Sequence, residues 1–197
     1  NSDVSVSTSF LPIGVKVERK GDILNVSGRW RFSSGVDYCH WAIILVIVPP
    51  ENGERPPDPV FALIDLNDCL VEDTWNSAGL AGTGSNDIVV TDAEVLPHRM
   101  MRVMDLRGEE TDGSRANDSY LYRLPLFAVF PFNIIGPALG AARGALDDVI
   151  EDLTSRHSVT GADLSKAATV HTRIGKATAL IDSADALFEK IRKNIIK

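Results

Sequence analysis

Residues 30–48 read WRFSSGVDYCHWAIILVIV, and the fold turns on how that stretch is divided. Ala42, Ile43, Ile44, Leu45, Val46, Ile47 and Val48 form an almost unbroken apolar run rich in β-branched side chains. Such a run is too apolar for a strand with one face in water, so a strand covered on both sides is expected. Before it, residues 30–35 end an earlier strand: an aromatic residue, then Ser33, Ser34 and Gly35, then the turn residues Val36 and Asp37. A planar cofactor such as a flavin needs an aromatic wall for its ring face, a short donor aimed at its central nitrogen and backbone amides for its edge. Trp30, Ser34 and Gly35 can supply these, but taken alone such residues more often make a strand end with a core tryptophan and a Ser/Gly turn, since Trp is usually highly buried.

Toward the N-terminus, Val15 and Val17, then Lys20, Gly21 and Asp22, then Ile23, Leu24 and Val26 read as a hairpin. Toward the C-terminus, residues 60–66 repeat the pattern of a covered strand, and residues 88–90 and 95–96 add two shorter ones. Between them lies GLAGTGSND at 79–87, whose glycines permit close approach of backbone to a ligand. Its spacing fits neither the dinucleotide fingerprint nor a P-loop, and taken alone it is more often a tight strand connection.

After a polar break over 107–119 the period changes. Ile135, Leu139, Ala142, Leu146, Val149 and Leu153 recur three or four apart, and Leu164, Ala167, Ile174, Ile181, Ala184, Phe188, Ile191 and Ile195 do the same, which predicts two antiparallel helices. Gly136, Ala138, Gly140, Ala141, Gly144 and Ala145 would let the first helix approach a neighbour closely. Residues 124–146 are the only tempting membrane span, but Pro125, Pro131, Pro137 and Arg143 interrupt it, so it is read as a loop entering a buried helix. Two helices alone have too little apolar partner surface for a bundle, so completion by further helices or another subunit, a dimer or tetramer, is expected.

The resulting division is a β domain over 1–114 and part of a helical bundle over 115–197, an α+β chain. A length of 197 residues with 44% hydrophobic and 24% charged residues fits an ordinary globular protein with a real core. The net charge of −7 and the scatter of basic residues argue against nucleic acid as a partner. Cys39 and Cys69 are lone cysteines, which suggests neither a disulfide framework nor a zinc site and fits a reducing cytoplasm. His40, His98, His157 and His171 lack ligand spacing, so no metal is expected. The chain opens on Asn1, with no apolar leader, and its beginning is expected to be missing.

Taken in order, GRWRFSSGVDYCHW, DTWNSAGLAGTGSNDIVVTDAEVLPHR and ALGAARGALDDVIEDL resemble the middle β domain and the first part of the C-terminal helical domain of acyl-CoA dehydrogenase-like flavoproteins. The W-x-F-x-S-G form and the W-x-x-x-G-L-x-G-T-G-S-N-D loop more closely resemble the oxygenase components of two-component aromatic hydroxylases. Phe32 stands where the dehydrogenases usually carry Thr, which favours the hydroxylases over an acyl-CoA dehydrogenase binding FAD; a structural module that has lost its cofactor is the third alternative. The resemblance implies a flavin-binding β domain with a β-barrel or sandwich-like form, preceded in relatives by a helical domain absent here. It implies reduced FMN or FAD from a separate NAD(P)H-dependent flavin reductase, a phenolic substrate and O2, in a homo-oligomer. Carried over by position, Trp30 would lie against the flavin and Ser34 would bond its central nitrogen as the catalytic donor, with Ser33 nearby. Ser7 and Ser9 match a stretch lining the flavin and substrate pocket, and Arg156 matches the region that reaches the flavin phosphate from a neighbouring subunit. The base acting on the phenol falls beyond this chain in relatives, so no residue here is named for it.

Overall fold

A computed structural model describes residues 3–50, 57–108, 110–155 and 164–195. In chain order the strands are β1 (Val6–Ser9), β2 (Leu11–Lys20), β3 (Ile23–Ser33), β4 (Trp41–Val48), β5 (Asp58–Asp65), β6 (Cys69–Glu72), β7 (Asn86–Val95) and β8 (Met100–Arg102). Three α-helices follow: α1 (Asp112–Ala116), α2 (Leu126–Ser155) and α3 (Ala168–Ile195). The chain divides into two compact units, residues 1–106 and 107–197.

The first unit is a β-sandwich. One sheet has the order β1-β4-β5-β8 and the other β2-β3-β7-β6. The hairpin read from the sequence is present as β2 and β3, which pair antiparallel from Lys20 and Ile23 outward. Alternating side chains from both sheets fill the space between them: Leu24, Val26, Trp30, Ile88, Val90 and Val95 face Ala42, Ile44, Val46, Val60, Ala62 and Ile64. β4 and β5 are not covered equally on both sides as expected, because buried residues alternate along them with half-buried ones, and Ile47 is exposed. The polar opening segment, not assigned to a strand from the sequence, is one: β1 pairs parallel with β4, Ser7 opposite Ala42 and Ser9 opposite Ile44. The two short strands expected near residues 88–96 are one, β7, with Asp92 at φ 51 within it.

Cys69 opens β6, and its thiol donates to the Asp65 carbonyl at 3.4 Å. Burial, reinforced by the charges of Asp68 and Asp65, pushes the thiol from its ordinary 9.0 up to about 12. A folded value above the unfolded one means that its contribution to stability is complete below pH 9.0 and is lost as pH rises through about 12. At pH 8 the native protein is therefore expected to leave Cys69 unalkylated by iodoacetamide until denaturant is added, as read by mass spectrometry.

The second unit opens with a capping box, in which Thr111 and Ser114 bond each other's backbone N–H at the start of α1. Pro125 offers its carbonyl to the amides of Ala128 and Val129, so α2 begins directly after it. The expected loop over the first part of 124–146 is instead helix, and α2 runs through both Pro131 and Pro137. Phe132 meets Phe188 with ring centroids 4.8 Å apart, and further along Arg143 reaches Asp182 and Asp185, the order of an antiparallel pair. The close approach expected of the small residues is not made within this unit. A Cβ placed at Gly136, Gly140 or Gly144 would meet nothing within 4 Å. Nor is α2 buried: Phe127, Ile134 and Val149 of α2 and Leu180 and Leu187 of α3 are exposed. By length and composition alone, residues 126–153 are also apolar enough to cross a membrane.

Candidate functional site

In a regular strand the side chains of Trp30 and Phe32 would share a face. They do not, because the ladder between β3 and β7 slips between Trp30 and Ser33, and Phe32 takes the left-handed conformation at φ 61. The slip leaves Trp30 inside and turns Phe32 out. Trp30 is 0% exposed, and its indole N–H donates across the sandwich to the Leu45 carbonyl at 2.7 Å. The ring has no accessible surface in this arrangement, which agrees with the other reading of the same residues, a core tryptophan, rather than with the expected flavin contact. Phe32 keeps 41% of its surface exposed, with the Arg31 guanidinium 4.6 Å from its centroid and the Trp75 ring edge-on at 6.0 Å.

The serines divide in the same way. The Ser33 hydroxyl donates to Ser7 Oγ at 3.0 Å, Ser7 donates to the Trp41 carbonyl at 3.5 Å, and Ser9 donates to the Arg31 carbonyl. All three are buried and satisfied, fastening β1 to β3 and β4. Ser34 is exposed, and its Oγ lies 2.8 Å from Ser85 Oγ. Of the six residues singled out by the sequence, Ser34 is thus the exposed one among the described residues, while Arg156 lies outside them.

The glycine loop, 79–87, is brought against Ser34. Gly35, at φ 73, donates its amide to the Thr83 carbonyl at 2.8 Å, a conformation that costs a residue without Cβ little. Buried Asn86 holds the loop from the other side. Its Oδ1 accepts the amides of Thr74 and Trp75, both at 3.1 Å, and its Nδ2 donates to the Asp37 carboxylate at 3.1 and 3.2 Å. Next to it, Arg29 bridges Asp87 and Glu72, and its guanidinium pKa is raised by the hydrogen bonds to Asp87 and then Glu72. Among the described residues, two of the three non-glycine residues with positive φ are tied to this arrangement through their carbonyls, Phe32 accepting the Ser34 amide and Leu80 the Thr83 amide and hydroxyl. Such conformations cost about 1–3 kcal/mol each and gather at functional sites.

Sequence reasoning gave no cofactor contact to Phe32 or Trp75, and read Thr83, Ser85 and Asn86 only as members of the glycine loop. The hydroxyls that alternate with glycines at 82–85 were the available signal, but nothing local says that the loop folds onto residues 32–37.

Comparison with known proteins agrees with this architecture. The C-terminal domain model of acyl-CoA dehydrogenases matches residues 133–196. The chain is 31% identical over 191 residues to the oxygenase component of an FADH(2)-dependent resorcinol hydroxylase from Rhizobium sp. (strain MTP-10005), covering 93% of this chain and 46% of that protein. It is 33% identical over 186 residues to the oxygenase subunit of a flavin-dependent monooxygenase from Rhodococcus jostii (strain RHA1), covering 93% of this chain and 48% of that one. The crystal structure of 3-HSA hydroxylase from Rhodococcus sp. RHA1 superposes with a TM-score of 0.86 at 31% identity, over 99% of this chain and 49% of that chain. The chain thus spans about half the length of the curated relatives it matches. The sandwich and the helical pair are therefore both similar to acyl-CoA dehydrogenase-like flavoproteins, among them the oxygenase components of flavin-dependent hydroxylases.

Proposed function

We propose that the whole protein is the oxygenase component of a flavin-dependent aromatic monooxygenase, taking reduced FMN or FAD from a separate NAD(P)H-dependent reductase, O2 and a phenolic substrate in the cytoplasm. The observation that carries this reading is exposed Ser34, its hydroxyl backed by buried Ser85, two residues along from exposed Phe32. These residues fit a flavin: an aromatic surface suits a ring face, and a hydroxyl fixed from behind suits a ring nitrogen. When bound, reduced flavin supplies the activation of O2. The chain's part is to bind and orient the ring. Phe32 takes the wall role first read for Trp30, and Ser34 keeps the hydrogen bond to the central nitrogen. Ser7, Ser9, Ser33 and Trp30 hold β1, β3 and β4 together beneath them. Within this reading residues 1–114 carry the flavin, residues 115–197 are part of a bundle, and Arg156 reaches a neighbouring subunit's flavin phosphate. Exposed Phe127, Ile134, Leu180 and Leu187 support a homo-oligomer that covers them.

The test is anaerobic titration of reduced FMN and reduced FAD into the full-length protein. Saturable binding of one is expected. Phe32→Ala should weaken it by about tenfold through the lost aromatic contact. Absence of saturable binding, or a Phe32→Ala variant that binds as tightly as the parent, would count against the assignment.

A further inference from the structure

Behind Ser34 runs a chain of hydroxyls that ends on a carbonyl. Ser34 Oγ lies 2.8 Å from Ser85 Oγ, Ser85 Oγ lies 2.9 Å from Thr83 Oγ1, and Thr83 Oγ1 donates to the Leu80 carbonyl at 3.0 Å. A carbonyl oxygen only accepts, and each hydroxyl has one proton to give. With the Thr83 proton on Leu80, Ser85 must donate to Thr83, and Ser34 must donate to Ser85. Ser34 is then left with lone pairs alone to offer to anything bound at its exposed side. The end of the chain is fixed in place: the Leu80 carbonyl, set by a left-handed backbone at φ 57, also accepts the Trp75 indole N–H and the Thr83 amide, both at 3.0 Å. Ser85, in the middle, is buried, so water does not take its place.

We infer that Thr83 and Ser85 are positioning residues that set Ser34 as a hydrogen-bond acceptor, so that the site favours a flavin whose central nitrogen carries a proton over one whose nitrogen is a bare lone pair. The inference rests on the flavin reading of Ser34. Reduced flavin has an N–H at that position and oxidised flavin does not. To meet the oxidised form with a donor, either Ser34 turns alone and gives up its bond to Ser85, or all three hydroxyls turn round and Thr83 gives up Leu80. One hydrogen bond of net difference corresponds to a preference of roughly threefold to tenfold.

The test measures dissociation constants of the full-length protein for reduced flavin, anaerobically, and for oxidised flavin, by absorbance and fluorescence titration, in Thr83→Val, Thr83→Ser, Ser85→Ala and Ser34→Ala. Thr83→Val keeps the branched shape at an exposed position and removes only the hydroxyl. It should lower the ratio of oxidised to reduced dissociation constants by roughly threefold to tenfold, with most of the change in the reduced form, and Thr83→Ser should restore it. Ser85→Ala, which breaks the chain in its middle, should lower the ratio likewise. If Thr83→Val and Ser85→Ala fold and leave the ratio at its parent value, or weaken both forms equally without rescue by Thr83→Ser, the positioning role is overturned while Ser34 keeps its own. If Ser34→Ala also leaves both constants untouched, the flavin reading of Ser34 falls with it.

Discussion

Trp30→Ala is expected to cost about 3–5 kcal/mol of stability, the range for removing a large aromatic side chain from a packed core. Trp30 sits among Val26, Ile44, Ile88 and the other side chains shared by both sheets, with no accessible surface of its own. Its indole N–H is the donor to Leu45 in the opposite sheet, so truncation removes both the filling and a bond between the two layers. Trp30→Phe keeps most of the volume and should lose about 1 kcal/mol for the missing hydrogen bond, somewhat more where the smaller ring leaves a gap. Urea unfolding of the full-length protein checks the order. The pair of variants also decides between two roles for this residue. As a core side chain, Trp30→Phe should leave reduced-flavin affinity of the folded protein within about twofold of the parent, whereas Phe32→Ala lowers it about tenfold. A Trp30→Phe protein of undiminished stability whose flavin affinity has collapsed would show that the ring contacts the cofactor after all.

Gly28→Ala should be nearly as damaging, about 3 kcal/mol, for a reason no composition reveals. Gly28 stands in β3 at φ 156, where the ladder to β7 is irregular between Val26 and Gly28. A Cβ built there falls 2.7 Å from Val15 Cγ2 and 2.9 Å from Val15 Cα on β2. The first contact involves a side chain that can turn aside. The second involves backbone and cannot be relieved without moving the strand. Val15→Ala in the Gly28→Ala background is therefore expected to restore only part of the lost stability, measured again by urea unfolding. Full restoration would place the whole clash on the Val15 side chain.

The features legible in the sequence are those whose cause is local or periodic. The hairpin of β2 and β3 follows from alternating apolar residues around Lys20, Gly21 and Asp22, and α2 and α3 follow from a spacing of three and four. The family was legible too, because its motifs keep their order along the chain. The alternation of Val4, Val6 and Phe10 with serines was a strand signal passed over, and its buried face was not legible, since Ser7 and Ser9 are polar; they are buried because each finds a hydrogen-bond acceptor on a neighbouring strand. The small-residue stripe on α2 lies in a helix, as read, but names no neighbour, because a pattern of Gly and Ala states that close approach is possible, not what approaches.

Within the candidate site the division is sharper. Sequence alone determined that residues 30–35 close a strand with an aromatic, two serines and a glycine. Tertiary structure decided which aromatic faces outward and which hydroxyls stand together. A single left-handed residue at Phe32 reverses the alternation that would have put Trp30 and Phe32 on one face, and the Asn86 bonds fold a distant glycine loop onto Ser34. Both depend on pairings between segments far apart in the chain, where a slip of one residue exchanges inside for outside.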